Sequence, residues 1–206
     1  MTAQSRSLPA PRGGHPAGHA RPGISNPVLG MILFITSEVM FFAGLFAAYF
    51  NVRAAAPVWP PAGNEHFQIH HDVWPLVGAL TLILIVSSLT CQLGVWAIQR
   101  DDRRGLVRAL AVTLALGITF LVGQAYDYSQ LGFGLSDGTF GTTFYTLTGF
   151  HGAHVLAGTI MLGVMLFRAT AGQFSARHHD AVEAVSLYWH FVDVVWVCLF
   201  SILYLL

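Results

Sequence analysis

The chain has 206 residues, of which 54% are hydrophobic and only 10% charged, and its mean hydropathy is +0.60; a soluble domain carries about 25% charged residues. Ten arginines, with no lysine, balance ten acids, so net charge gives no reason to expect a nucleic-acid or acidic partner. These values exclude an ordinary soluble domain and describe an integral membrane protein.

Residues 1–25, with Pro9, Pro11, Gly13, Gly14, Pro16, Gly18, Pro22 and Gly23, are too rich in proline and glycine to pack, and are expected to form a disordered cytoplasmic tail. His15 and His19 within it read as solvated polar residues. No cleavable signal peptide is expected, because the first apolar run begins after residue 26 and is long enough to span. Residues 26–206 are expected to form one transmembrane domain.

A span needs about 20 mostly apolar residues. Five windows qualify, at about 27–51, 74–98, 106–127, 141–167 and 183–206. The first opens on the capping pair Ser25-Asn26 with Pro27 in its first turn, and carries one acid, Glu38. A charged side chain at the bilayer centre costs about 2.5 kcal/mol or more, so Glu38 is expected to be protonated or hydrogen-bonded to protein and to mark a functional site. The linker 52–73 holds His66, His70 and His71, for which a solvated role outweighs metal binding. The second span starts at Pro75 and contains Cys91, and the fifth contains Cys198. With no CxxC or zinc-like spacing, both cysteines read as small core residues. The fourth span carries His151 and His154 with Gly149, Gly152, Ala153, Ala157 and Gly158, a small-residue pattern that lets helices approach closely. The fifth carries His190 and Asp193, which are neighbours at i and i+3. No internal repeat is visible.

Arginine sets the orientation. With the N-terminus in the cytoplasm, the inside segments collect Arg6, Arg12, Arg21, Arg100, Arg103, Arg104, Arg108, Arg168 and Arg177, while the outside segments keep only Arg53. The C-terminus is then outside, and Trp59, Trp74, Trp96, Tyr126 and Tyr128 fall near the interfaces. At about 1.5 Å per residue, Glu38 lies about 16 Å from the cytoplasmic start of its span, Asp193 lies at the same depth and His154 at about 20 Å. The expected arrangement is a polar layer of Glu38, His151, His154, His190 and Asp193 that satisfies itself across the bundle, with His154 the partner of Glu38 on depth. His151 and His154 on one turn suit hydrogen bonding better than haem or metal ligation. Inter-helix glue is the better reading of His190 and Asp193, and a solvated or headgroup role that of His178 and His179.

Several longer motifs resemble one family. Ser37-Glu38-Val39-Met40-Phe41-Phe42-Ala43-Gly44-Leu45-Phe46, Thr148-Gly149-Phe150-His151-Gly152-Ala153-His154-Val155 and Tyr188-Trp189-His190-Phe191-Val192-Asp193-Val194-Val195-Trp196 resemble subunit III of haem-copper respiratory oxidases. His178-His179 and Glu183 keep the family's spacing to His190. Ser87 to Gln92 and Gly123 to Tyr128 make the chain most similar to the short, five-helix actinobacterial cytochrome c oxidase form, without the two N-terminal helices of the long form. The resemblance covers nearly all of residues 25–206.

That resemblance implies an all-α membrane protein, a bundle of five transmembrane helices in a bacterial cell membrane. It implies a subunit with no haem, copper or catalytic centre of its own, beside a catalytic haem-copper subunit I and a copper-binding subunit II; haem a and copper sit in those partners. Bound phospholipids in a cleft, support of proton uptake and protection from turnover inactivation are further implications. A cytochrome bc complex in a supercomplex is a further candidate partner. Glu38 matches the family's carbodiimide-reactive glutamate, and Arg168, with Phe174 alongside, matches its lipid-phosphate contact; a guanidinium at that interface suits bidentate phosphate binding. His178, His179 and Glu183 form a cytoplasmic-side cluster with a proton or structural role. Phe34, Phe41, Phe42 and Leu45 around Glu38 suggest a lipid-lined route for oxygen. The rival readings are a quinol oxidase subunit or nitric-oxide-reductase accessory protein, and a stand-alone proton-coupled carrier, which the absence of a visible repeat disfavours.

Overall fold

Long runs of apolar residues without an interior proline leave the backbone one way to satisfy its amides in hydrocarbon, the α-helix. The computed structural model describes residues 23–59 and 74–205. It contains α1 (Asn26–Ala55), α2 (Trp74–Gln99), α3 (Arg103–Gln130), α4 (Gly138–Thr170) and α5 (Asp180–Phe200), the last continued by a π-helical turn over Ser201–Leu205. All five are long and apolar enough to cross a membrane. The helices outrun the sequence windows by a few residues, because backbone hydrogen bonding continues past the last apolar side chain. The expected tail, apart from residues 23–25, and His66, His70 and His71 lie outside the described residues.

Local signals set the helix ends. Pro27 sits in the first turn of α1, but the Ser25 side chain makes no capping bond; its carbonyl accepts from the Leu29 amide at 2.9 Å instead. Asp102 caps α3 by accepting from the Gly105 amide at 2.9 Å. The tight turn joining α2 to α3 places Asp101 at φ 60°, in the left-handed region that a short polar side chain tolerates. From there its carboxylate accepts from the Ala176 amide at 3.2 Å, which ties the α2–α3 turn to the loop between α4 and α5.

In chain order α2 packs on α3, α3 on α4, α4 on α5, and α5 returns to α2; α1 lies against α5 and α4. α5 is therefore central and buries Tyr188, Trp189, Val192, Trp196 and Leu199 among others, whereas α1 buries only Phe42 and Tyr49. Trp189 is 1% exposed, and its Nε1–H donates to Ser87 Oγ of α2 at 2.9 Å. A Cβ added at Gly117 of α3 would stand 2.7 Å from its ring, and one at Gly158 of α4 2.8 Å. These two glycines thus form the notch that holds the indole between helices. Gly149 and Gly152 have no such neighbour within 4 Å, so the small-residue pattern on α4 narrows to Gly158. Trp196 repeats the device one level away, its Nε1–H donating to Thr81 Oγ1 of α2 at 3.0 Å.

Candidate functional site

Glu38 points from α1 toward α4, where His154 offers it a polar partner. Its Oε2 lies 2.9 Å from Nε2 of His154, and the two side chains are 19% and 15% exposed. The other ring nitrogen, Nδ1, lies 2.6 Å from the Phe150 carbonyl. A carbonyl oxygen only accepts, so Nδ1 must carry a hydrogen and donate. A hydrogen bond between Nε2 and Oε2 then needs one further proton, carried by the acid or by the imidazole. In either form the pair has no net charge, which is how the helix carries an acid at this depth.

Aromatic rings close around the pair. Phe42 meets the His154 ring edge-on at 5.0 Å, and Phe41 stacks on it at 6.3 Å. Phe41 also touches Phe150 at 5.0 Å, Phe34 stacks with Tyr188 at 6.1 Å and Phe42 meets Phe191 at 6.2 Å. Tyr188 of α5 donates its hydroxyl to the His154 carbonyl at 3.2 Å. The α1 seam is thus built on rings and one hydrogen-bonded pair, while the opposite side of α1 leaves Leu33 and Met40 exposed.

The other members of the expected polar layer do not join this pair. His151 is fully buried and stacks on Trp196 at 5.0 Å, with Phe120 edge-on at 5.9 Å; neither of its nitrogens has a hydrogen-bond partner among the described residues. Three residues at about 100° each leave it about 60° short of a full turn from His154, which carries it to the core side of α4 while His154 faces α1. His190 and Asp193 belong to a third site between α5 and α2. His190 Nδ1 lies 3.1 Å from Ser88 Oγ, and its Nε2 lies 3.2 Å from Gln92 Oε1 and 3.3 Å from Ser186 Oγ. Asp193 Oδ1 has no partner among the described residues. Depth alone grouped these side chains; helix rotation separates them.

Toward the arginine-rich ends, Arg168 donates through Nε to Gln173 Oε1 at 2.9 Å, and its guanidinium lies 4.9 Å above the Phe174 ring centroid. Phe174 is 4% exposed and holds the guanidinium by a cation–π contact. His179 Nε2 and Gln99 Nε2 both lie 3.1 Å from Glu183 Oε1. His178 is exposed and pairs through its backbone with Ser175, so the expected cluster is His179–Glu183–Gln99 instead.

Asp127, at 0% exposure, escaped the sequence reading. Its two oxygens, Gln124 Nε2 and the Tyr204 hydroxyl have no partner among the described residues, and Tyr128 beside it donates to Thr148 Oγ1 at 2.7 Å. A signal existed, since Gln124, Asp127 and Tyr128 at i, i+3 and i+4 of an apolar span share one face. Tyr128 therefore points into the bundle rather than to the interface, and Cys198 is exposed while Cys91 is buried. Among the described residues no group of three or more His, Cys, Asp or Glu is placed to hold a metal ion.

Known proteins are similar in sequence to this chain over most of its length. A model of the family "Cytochrome c oxidase subunit III" matches residues 13–206. The chain is 42% identical to a cytochrome c oxidase subunit 3 of Synechocystis sp. over 189 residues, covering 91% of this chain and 78% of the relative. It is 44% identical to one of Thermostichus vulcanus, covering 87% of each, and 43% identical to a probable cytochrome c oxidase subunit 3 of Mycobacterium tuberculosis, covering 85% and 86%. With five spanning helices and bacterial relatives of this kind, the chain is a multi-pass protein of a bacterial cell membrane, and it belongs to the cytochrome c oxidase subunit III family.

Proposed function

We propose that this chain is the non-catalytic third subunit of a proton-pumping cytochrome c oxidase. It packs against the catalytic subunit I and, with the copper-binding subunit II, completes the complex in which haem a and copper reduce oxygen to water. Its own chemistry lies in the α1 seam. Glu38 and His154 hold one proton between them in a neutral pair, and the surrounding rings keep that seam apolar enough for acyl chains and oxygen. Phospholipid fills the seam on its exposed side. Arg168, held over Phe174, offers its remaining N–H groups to a lipid phosphate, a geometry suited to bidentate binding. The subunit thereby supports proton uptake, oxygen access and survival of the catalytic subunit during turnover.

The observation that carries this reading is the Glu38–His154 contact at 2.9 Å beneath Phe41 and Phe42. The Glu38→Ala oxidase is expected to show weaker oxygen affinity and faster inactivation during turnover, with haem content unchanged. Oxygen consumption followed to exhaustion measures both. Unchanged affinity together with an unchanged inactivation rate would refute the role given to this seam.

The lipid contact has its own test. Arg168→Ala complexes purified in mild detergent are expected to retain fewer phospholipids, counted by mass spectrometry, while Arg177→Ala serves as a control in the neighbouring loop. Equal lipid content in the two would reduce Arg168 to an orientation-setting charge.

A further inference from the structure

A polar line runs along the facing sides of α2 and α5, away from the Glu38–His154 pair. It starts at the helix ends that the arginine bias assigns to the cytoplasm, with His179, Glu183 and Gln99 joined through Glu183 Oε1. Deeper along α5 come Ser186 and then His190, met from α2 by Gln92 and Ser88. Asp193 ends the line, its Oδ1 without a partner among the described residues, and Ser88 borders its carboxyl group.

Between the surface group and His190 lies a cavity of about 230 Å³, lined by Gln92, Gln99, Glu183, Ser186 and His190, with Val28 contributed by α1. Four-residue and three-residue steps keep each helix's polar groups on one side: Ser88, Gln92 and Gln99 on α2, Glu183, Ser186 and His190 on α5. Such a stripe toward hydrocarbon is costly, and water takes up polar cavities that offer it two to four partners, at about 30 Å³ per molecule. This cavity has room for several.

The geometry points to a hydrated crevice that opens on the cytoplasmic side and carries water between α2 and α5 as far as His190. It gives the proton-uptake role proposed above a specific route. Gln92 Oε1 only accepts, so Nε2 carries the proton of the neutral ring and Nδ1 accepts from Ser88. With the ring in its other tautomer, a hydronium in the crevice gives its proton to Nε2 while the Nδ1 proton leaves through Ser88 toward Asp193. One proton enters, one leaves, and the imidazole stays neutral. Among the described residues that line the cavity, α2 contributes Gln92, Gln99 and Val95, α1 contributes Val28, and Glu183 is the one acid.

The test is cysteine accessibility in the assembled oxidase. In a Cys91→Ala, Cys198→Ser background, Gln99→Cys, Ser186→Cys, Gln92→Cys and Val194→Cys are made singly. Inverted membrane vesicles are treated with a charged, membrane-impermeant methanethiosulfonate, and modification is read as the mass shift of this chain. Val194 is 62% exposed on an apolar surface and sets the background. Modification of Gln99→Cys, followed more slowly by Ser186→Cys or Gln92→Cys at ten or more times the Val194→Cys rate, is the expected result. Modification of Gln99→Cys alone, with both deeper positions at background, would overturn the crevice. Oxygen consumption by the untreated variants reports separately on the oxidase role, so a closed crevice in an active, stable complex refutes this inference and leaves that role standing.

Discussion

Replacing Trp189 by alanine is expected to destabilise the subunit by about 3–5 kcal/mol, the usual cost of emptying a large aromatic site in a well-packed core. Lipid tails are as apolar as the helix faces, so burial gives little drive toward helix association in a bilayer; van der Waals contact and inter-helix hydrogen bonds must supply it. Trp189 concentrates both. Its indole sits in the notch between Gly117 and Gly158, and its N–H reaches Ser87, so one side chain of α5 touches α2, α3 and α4. Removing it opens a cavity where three helices meet and leaves Ser87 Oγ without its donor. Trp189→Phe keeps most of the ring and loses the hydrogen bond, so a loss of about 1–2 kcal/mol is expected. Gly158→Leu should fail as badly as the alanine variant for the opposite reason, because a rigid ring stands where the new side chain begins. Thermal unfolding of the detergent-solubilised complex orders the three variants. A Trp189→Ala complex that melts at the wild-type temperature would show that the notch holds nothing together.

The second large effect belongs to Glu38 and His154. Glu38→Ala removes the partner of His154 Nε2, and Glu38→Gln does not. Because Nδ1 is committed to the Phe150 carbonyl, a neutral ring presents a bare Nε2, to which an amide N–H donates well. Glu38→Gln should therefore keep most of the stability that Glu38→Ala loses. A double-mutant cycle with His154→Ala is expected to give a coupling of about 1–2 kcal/mol, at the upper end of hydrogen bonds within membranes. The cycle can be read from denaturant titration of the purified complex. Equal losses for Gln and Ala would mean that the pair does not share a proton as its geometry requires. Loss of function in Glu38→Gln with stability intact would assign the proton itself, rather than the contact, to the subunit's work.

Much of this arrangement could be read from the residues. Five spans followed from apolar run length, and the acid at 38 announced itself by its cost in lipid. Glu38 and His154 shared a depth, since both lie near mid-span on antiparallel helices, and the motifs around them carried the family resemblance. Depth is one coordinate, however. His151 stands one turn from His154 yet stacks on Trp196, and His190 turns to α2 instead of α1. Rotation about the helix axis decides both, and in spans this uniformly apolar no hydrophobic face announces the rotation. Asp127 was passed over for a similar reason. Near the end of its span it resembles an interfacial residue, and only the packing of α3 against its neighbours seals it at 0% exposure.

By itself, then, the sequence determined that this is a five-span membrane protein and which polar side chains fall within the spans. Those properties depend on hydrocarbon thickness, on the obligatory pairing of backbone amides and on the cost of charge, all of which act on each segment separately. Only the tertiary structure decided that α5 is central and α1 peripheral, that Trp189 keys into two glycines, and that the polar layer divides into the Glu38–His154 pair, a buried imidazole and a polar line along α2 and α5. Those outcomes depend on how helices fit together, and in lipid that fit is set by shape and by individual hydrogen bonds rather than by any pattern within a single helix.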